Sequence, residues 1–348
     1  MKIWGLFSAA LVLVAGCQSA TPEVDSTQQD VKLKNSAESK SLVIYSGRSQ
    51  VLVGGLVETF EKKTGIKVEV RYEKSTQTLA NRIATEGKQT EADLFFAQDS
   101  GYLGALASKG LLSSLPAELV GKVPAIHREK EGRWVATSGR ARVLVYDPKT
   151  VKVDDLPKSL EELADVKWKG KLGWAPGNAS FQAHVSALRH LWGEEKTRTW
   201  MSDVVKSAEP KIYPKNSPQV RGVSNGEIQV GWVNHYYLHK LKAANPDLSA
   251  ANYSFSADND AGNLMMLSGI GVLSASDNVE AATQFVAFLL EKEQQSYFTN
   301  QVFEYPVLTD VALNPALPDI RAKLVQIDQT HLADLAPTLQ LLRDLELQ

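Results

Sequence analysis

Residues 233–240 read VNHYYLHK, so two adjacent tyrosines, Tyr236 and Tyr237, stand between His235 and His239. A phenol with an ordinary pKa of about 10 is a poor ligand at neutral pH. A bound cation reverses this by stabilising the deprotonated oxygen, as metals do for water and thiols. Only a hard, highly charged cation repays the lost proton, and such cations choose oxygen over sulfur. Ferric iron fits that description, whereas calcium and magnesium usually take carboxylates and carbonyls. Taken alone, the pair is better explained by packing, with one ring buried and the other capping a loop.

Competing chemistries find little support. The HExxH, GxSxG, Walker and dinucleotide glycine patterns do not occur in the sequence. His184 and His190 are spaced so that they do not share a helix face. His235 should point away from any cleft that Tyr236 faces. The serines in SGRAR and GNAS have no histidine partner in sequence context. The chain reads as a binding protein and not as an enzyme.

Composition sets the outer bounds. The chain has 348 residues, 43% of them hydrophobic, and 38 basic against 40 acidic side chains for a net charge of −2. That length suits two lobes of ordinary size. No long basic stripe is present, which argues against a nucleic-acid partner. After Lys2, the run IWGLFSAALVLVAG is too short to span a bilayer but fits the apolar region of a signal peptide. It ends in VAGC, which resembles a bacterial lipobox, at Cys17, the single cysteine. We expect residues 1–16 to be a signal peptide and 17–40 a lipidated Cys17 with a flexible tether. The segment QSATPEVDSTQQDVKLKNSAESK is too polar to bury a core. With one cysteine there is no intrachain disulfide.

The elements that must position the tyrosines can be read from periodicity. SLVIYSG is an apolar, β-branched strand, VLVGGLVETFEKKTG a helix stopped by Gly65, and IKVEVRYE a second strand. STQTLANRIATEGKQT is a helix with Ser75 as N-cap candidate, and ADLFFAQD a third strand. This alternation indicates an α/β lobe with a parallel sheet, in which loops at the strands' carboxyl ends line the ligand crevice. Gly47, Arg48, Ser49, Gln98 and Asp99 fall at those ends. RWVATSGRARVLVYDPKTV is expected to form a strand pair about Gly139. PGNAS, residues 176–180, opens an amphipathic helix and places Asn178 and Ser180 at a natural anion site. IQVGWV is an alternating strand that puts the tyrosines at its carboxyl end. A helix over EAATQFVAFLLEKEQQSYF and a polar helical C-terminus complete the body.

IYSGRS, EADLFFAQD, ATSGRARVLVYDP, KNS, NGEIQVGWVNHYY and FVAFLLEKE with EYP occur in this order. Together they resemble the ferric-ion-binding proteins, the solute-binding components of bacterial iron(III) ABC importers. The resemblance runs from about Leu42 to Pro306, and the combination of NxYY with SGRxRxxxYD makes it specific. It implies an α/β, two-lobed type II periplasmic-binding-protein fold. Each lobe is then a mostly parallel sheet flanked by helices, hinged around a cleft. The lobes would be 41–140 with 268–316, and 141–267 with 317–348. Chain crossings are expected at Gly139 to Arg142 and at Met266 to Gly269.

The resemblance also implies a ligand set. Tyr236 and Tyr237 match the family's iron-binding phenolates. Where the family commonly has a histidine this chain has Ser49, and where some members use a glutamate it has Gln98, with Asp99 beside it. The cargo would be Fe3+ with a synergistic anion such as carbonate or phosphate. Arg140, with Arg142 on the same strand face, and Asn178, Ala179 and Ser180 match the anion site. Asn216 and Asn234, like Ser49, would orient these groups from behind. The implied partners are an ABC permease and its ATPase, with the membrane reached only through the lipid anchor. The implied form is a monomer outside the cytoplasm, periplasmic or at the cell surface. A second reading keeps the fold but fills the cleft with an anionic organic solute such as a phosphonate, held by Arg140 and PGNAS. A third makes the chain a sensor or adhesin on the same scaffold.

Overall fold

The computed structural model describes residues 41–348, so the expected signal peptide, lipidated Cys17 and tether lie outside the described residues. The first strand, β1 (Leu42–Ser46), leads into α1 (Gln50–Thr64), which buries Val53, Leu56, Val57 and Phe60 at helical spacing. Gly65 ends α1 at φ +74, a left-handed geometry that glycine adopts without steric cost. Next come β2 (Val68–Tyr72) and α2 (Thr76–Glu86), whose N-cap Ser75 accepts a hydrogen bond from the Thr78 N–H at 3.1 Å. After β3 (Leu94–Ala97) the chain forms α3 (Gly101–Ser108) and the short α4 (Ala117–Val120). β1 lies between β2 and β3 and pairs parallel with both.

β4 (Val135–Tyr146) differs from expectation: it is one fully buried strand of 12 residues, not a strand pair. Gly139 is needed for close approach and not for a turn, because a Cβ there would lie 2.5 Å from the Met265 sulfur. The chain continues through β5 (Leu172–Trp174), α5 (Ala179–Trp192), α6 (Glu194–Asp203), β6 (Lys211–Ile212) and α7 (Asn216–Ser224). It then forms β7 (Val230–Asn234), α8 (Tyr236–Ala244), β8 (Ala251–Tyr253) and β9 (Met265–Val272). The long helix expected over 280–298 is two, α9 (Val279–Leu289) and α10 (Lys292–Gln301). The break turns Gln295 inward, where its amide bridges the Thr137 and Leu289 carbonyls and the Val307 N–H. β10 (Tyr305–Pro306) and α11 (Leu335–Asp344) complete the fold.

β4 belongs to both halves. Its residues up to Ala141 pair antiparallel with β9, and from Arg142 onward it pairs antiparallel with β7. The switch of partner thus falls inside the expected crossing at Gly139 to Arg142. The crossing expected at Met266 to Gly269 instead lies within β9, which pairs with β3 or β4 along its whole length. The chain has already changed sheets before Met265. The strand order is β2-β1-β3-β9-β4-β7-β5-β6. Parallel pairing holds among β1, β2 and β3 and among β5, β6 and β7, while the joining strands are antiparallel. The result is the expected two-lobed α/β architecture. Leu317, Ile320 and Leu324 pack in one core with β1 and β3, the turn Gln329–Ala333 lies between α3 and α5, and only then does α11 pack on α5.

Candidate functional site

β7 carries the chain to the seam between the lobes and ends at Asn234. There α8 begins, with His235 in its N-cap position and Tyr236 as its first residue. The tyrosines therefore occupy a helix's first turn and not a strand end. Consecutive helical side chains diverge by roughly 100°. Even so, the two rings stack, with centroids 4.4 Å apart and planes at 27°. Lys240, one turn further, holds its Nζ 5.0 Å over the Tyr236 ring.

His235 turns away from the phenols, as expected. Its Nδ1 accepts from the Ala141 N–H at 3.1 Å, and its Nε2 lies 2.6 Å from the Phe303 carbonyl oxygen. The first contact requires a bare Nδ1, so the proton sits on Nε2 and is donated to Phe303. Burial, helped by His239, lowers the pKa of this ring to about 4. His235 thereby ties the turn bearing the tyrosines to the strand that joins the lobes.

The phenols open onto a cavity of about 310 Å³. From one side it is lined by Asn178, Ala179, Ser180, Gln182 and Asn234, and from the other by residues 74–77, Gln98, Asp99, Tyr102 and Arg140. Burial drives the Tyr236 phenol well above its ordinary pKa; Tyr237 adds to the rise by charge and hydrogen bonding, while Arg140 opposes it. Burial and the Asp99 charge push Tyr102 up to about 12.

Two arginines two residues apart on β4 have unlike surroundings. Arg140 Nη2 donates to the Gln98 carbonyl and, at 2.7 Å, to Asp99 Oδ1. Arg142 is fully buried and meets only neutral acceptors. Its Nη1 lies 3.1 Å from Asn234 Oδ1, 3.3 Å from Ser180 Oγ and 3.5 Å from Asn216 Oδ1, and its Nη2 donates to the Trp232 carbonyl at 3.0 Å. Burial pulls its pKa down to about 9, with Tyr237 and Tyr236 acting in the other direction. No carboxylate pairs with it among the described residues, and its Nε lacks a partner. Asn178 caps α5, accepting from the Ser180 N–H at 3.0 Å and Oγ–H at 2.6 Å, and Asn216 Nδ2 joins it at 3.3 Å.

Arg142 and Asn216 therefore sit behind the cavity wall and not on it. Ser49 is displaced further: it is the exposed N-cap of α1 and does not line the cavity. The amide oxygen of Gln98 is already engaged, accepting from Arg48 Nη1 at 3.0 Å. Arg48 belongs to a buried ionic knot missed in the sequence. It pairs with Glu304 through Nη1 at 3.1 Å and Nη2 at 2.9 Å and donates to Ser268 Oγ at 2.7 Å. Ser138 Oγ adds a 2.5 Å bond to the same carboxylate. Burial favours the neutral form of Glu304, but Arg48 and Arg140 hold its pKa below the ordinary value. Both IYSGRS and EYP are conspicuous in the sequence, yet nothing in either points to the other. Tyr102 was missed because a lone tyrosine in a helix reads as packing. Among the described residues, no cluster of three or more His, Cys, Asp or Glu side chains is placed to hold a metal.

Known proteins resemble this chain in sequence and in fold. The family profile described as bacterial extracellular solute-binding protein matches residues 50–296. The major ferric iron-binding protein of Neisseria meningitidis serogroup A is 35% identical over 271 residues, 76% of this chain and 80% of that protein. The Fe(3+)-binding periplasmic protein of Serratia marcescens is 31% identical over 319 residues, 91% of this chain and 88% of the other. The crystal structure of iron-bound HitA from Pseudomonas aeruginosa superposes with a TM-score of 0.79 at 33% identity, covering 88% of this chain and 99% of that one.

Proposed function

The chain belongs to the bacterial extracellular solute-binding protein family, and on that premise we propose that Tyr236 and Tyr237 bind ferric iron as phenolates between the two lobes. Members of this family work with ABC transporters and are not enzymes. The chain is thus a carrier in iron import, and the ATP hydrolysis belongs to its partner. The observation that carries the ligand assignment is the stacked phenol pair facing a cavity backed by two buried guanidinium groups.

Charge favours a companion anion. Two phenolates leave one positive charge on Fe3+, and Arg142 adds another that no carboxylate offsets. A dianion such as carbonate or hydrogen phosphate would offset both, resting on Asn178, Ala179 and Ser180 at the start of α5 beside Arg140. In this reading Arg142 acts through its field from behind Ser180 and Asn234, which with Asn216 keep it in place. Gln98 contributes no ligand, because its oxygen serves Arg48. Closure of the lobes about β4 would exclude water and complete the coordination. In this reading a lipid on Cys17 holds the carrier outside the cytoplasm.

Titration of the purified protein with ferric citrate tests this. Tyrosinate bound to Fe3+ should give a visible charge-transfer band, and Tyr236→Phe combined with Tyr237→Phe should abolish the band and high-affinity binding. A colourless protein that still binds an organophosphonate would overturn the iron reading.

A further inference from the structure

The proposed site is one-sided: both phenolates come from α8, in the half of the fold reached after β4 changes sheets. The opposite wall offers two ionisable oxygen donors, Asp99 and Tyr102. Asp99 is held at 2.7 Å by Arg140, which is only 3% exposed. Recruiting Asp99 to a metal would strip a buried cation of its partner, a costly exchange. Tyr102 carries no such debt. It is the second residue of α3, directly after the Gln98 and Asp99 loop, and is half-buried with its side chain on the cavity. Among the described residues its hydroxyl has no hydrogen-bond partner. By contrast, the Tyr305 hydroxyl donates to the Pro318 carbonyl at 2.8 Å, and that of Tyr213 to Glu227 at 3.2 Å.

We propose that Tyr102 is a third phenolate ligand for ferric iron, supplied across the cleft to a metal already held by Tyr236 and Tyr237. The inference rests on the iron reading above. Each phenol loses its proton to solvent as its oxygen bonds to iron, and the metal remains ferric. Three phenolates match the three charges of Fe3+ with donors of the same hard-oxygen chemistry, which leaves the companion anion to offset Arg142 alone, as a monoanion such as hydrogen carbonate. The geometry also gives closure a role. α8 alone can capture iron, and Tyr102 adds its bond only when α3 is brought against it, so cargo binding and closure reinforce each other.

Two measurements on the full chain loaded from ferric citrate test this. In the wild type, the ultraviolet difference spectrum on iron loading counts ionised tyrosines; we expect three, and a count of two would overturn the inference. In Tyr102→Phe, the visible band per bound iron should fall by about one-third. Affinity should fall by at least the roughly tenfold that loss of an outer-shell partner costs a metal site. Tyr102→His, which restores a donor, should recover affinity while leaving the band weak. A coloured wild type whose Tyr102→Phe variant matches it in band and affinity would refute the role of Tyr102 while leaving the iron reading intact. A colourless wild type would refute the iron reading itself.

Discussion

Arg48 and Arg142 are both fully buried and both lie beside the seam joining the lobes, yet they are treated in opposite ways. Arg48 has a carboxylate in two-pronged contact, and Glu304 in turn has Ser138. Arg142 has three amide or carbonyl oxygens, one hydroxyl and, among the described residues, no counter-charge. Burying a cation is costly, and a paired one is repaid within the fold. The first arrangement is therefore self-sufficient. On the function proposed above, the second is neutralised when the companion anion enters.

Removing the charge that satisfies Arg48 should give the largest effect. Glu304→Ala leaves a buried guanidinium alone and should cost about 3–5 kcal/mol in denaturant unfolding. A loss within about 0.5 kcal/mol, the range of ordinary surface substitutions, would show that the knot is not structural.

Acid should sharpen the contrast next. His235 is neutral in the fold, with a pKa near 4 against an ordinary 6.5. The unfolded chain therefore binds the extra proton first, and stability falls as pH drops from about 6.5 to 4. The loss from this group is on the order of 3 kcal/mol. Glu304, with its lowered pKa, adds a further loss as acid begins to protonate it. Equilibrium unfolding between pH 7 and 4, with and without His235→Gln, separates the two contributions. A pH-independent difference between wild type and variant would remove His235 from the account.

The smallest change in stability, and the most diagnostic one, is expected for Arg142→Met. Replacing an unpaired buried cation with an apolar chain of similar reach should leave folding nearly unchanged or improved. Affinity for ferric iron with carbonate or phosphate should drop by about 10- to 100-fold, as for other groups that support a metal site from behind. Calorimetry of apo and loaded protein reads both quantities. Lost stability with retained affinity would invert the comparison between the two arginines.

Much of this was legible from local pattern. The β1 to β3 alternation, the stop at Gly65 and the Ser75 cap depend on neighbours within a few residues, and they appear as read. Asn178 and Ser180 lie at a helix start, and Arg140, Tyr236 and Tyr237 share one cavity with them. The misreadings concern geometry set from a distance. Gly139 looked like a turn, but its missing side chain makes room for Met265 on a neighbouring strand. The strand IQVGWV was extended into the tyrosines, although the chain turns helical as soon as β7 loses its partner β4 at Asn234.

What the amino-acid sequence determines by itself is the donor chemistry and the order of the elements. Adjacent phenols offer hard oxygen donors that the surrounding motifs connect with a cation, and periodicity responds to spacings of two to four residues. Only the tertiary structure decides which of these groups is free to act. Gln98 is occupied because Arg48 reaches it, and Arg48 is held by a carboxylate 256 residues away. Among the described residues, Arg142 is left without a counter-charge and Tyr102 without a hydrogen bond, each for want of a partner in three dimensions. Burial magnifies both vacancies, since a charge or phenol removed from water must find its complement in the protein or in the cargo.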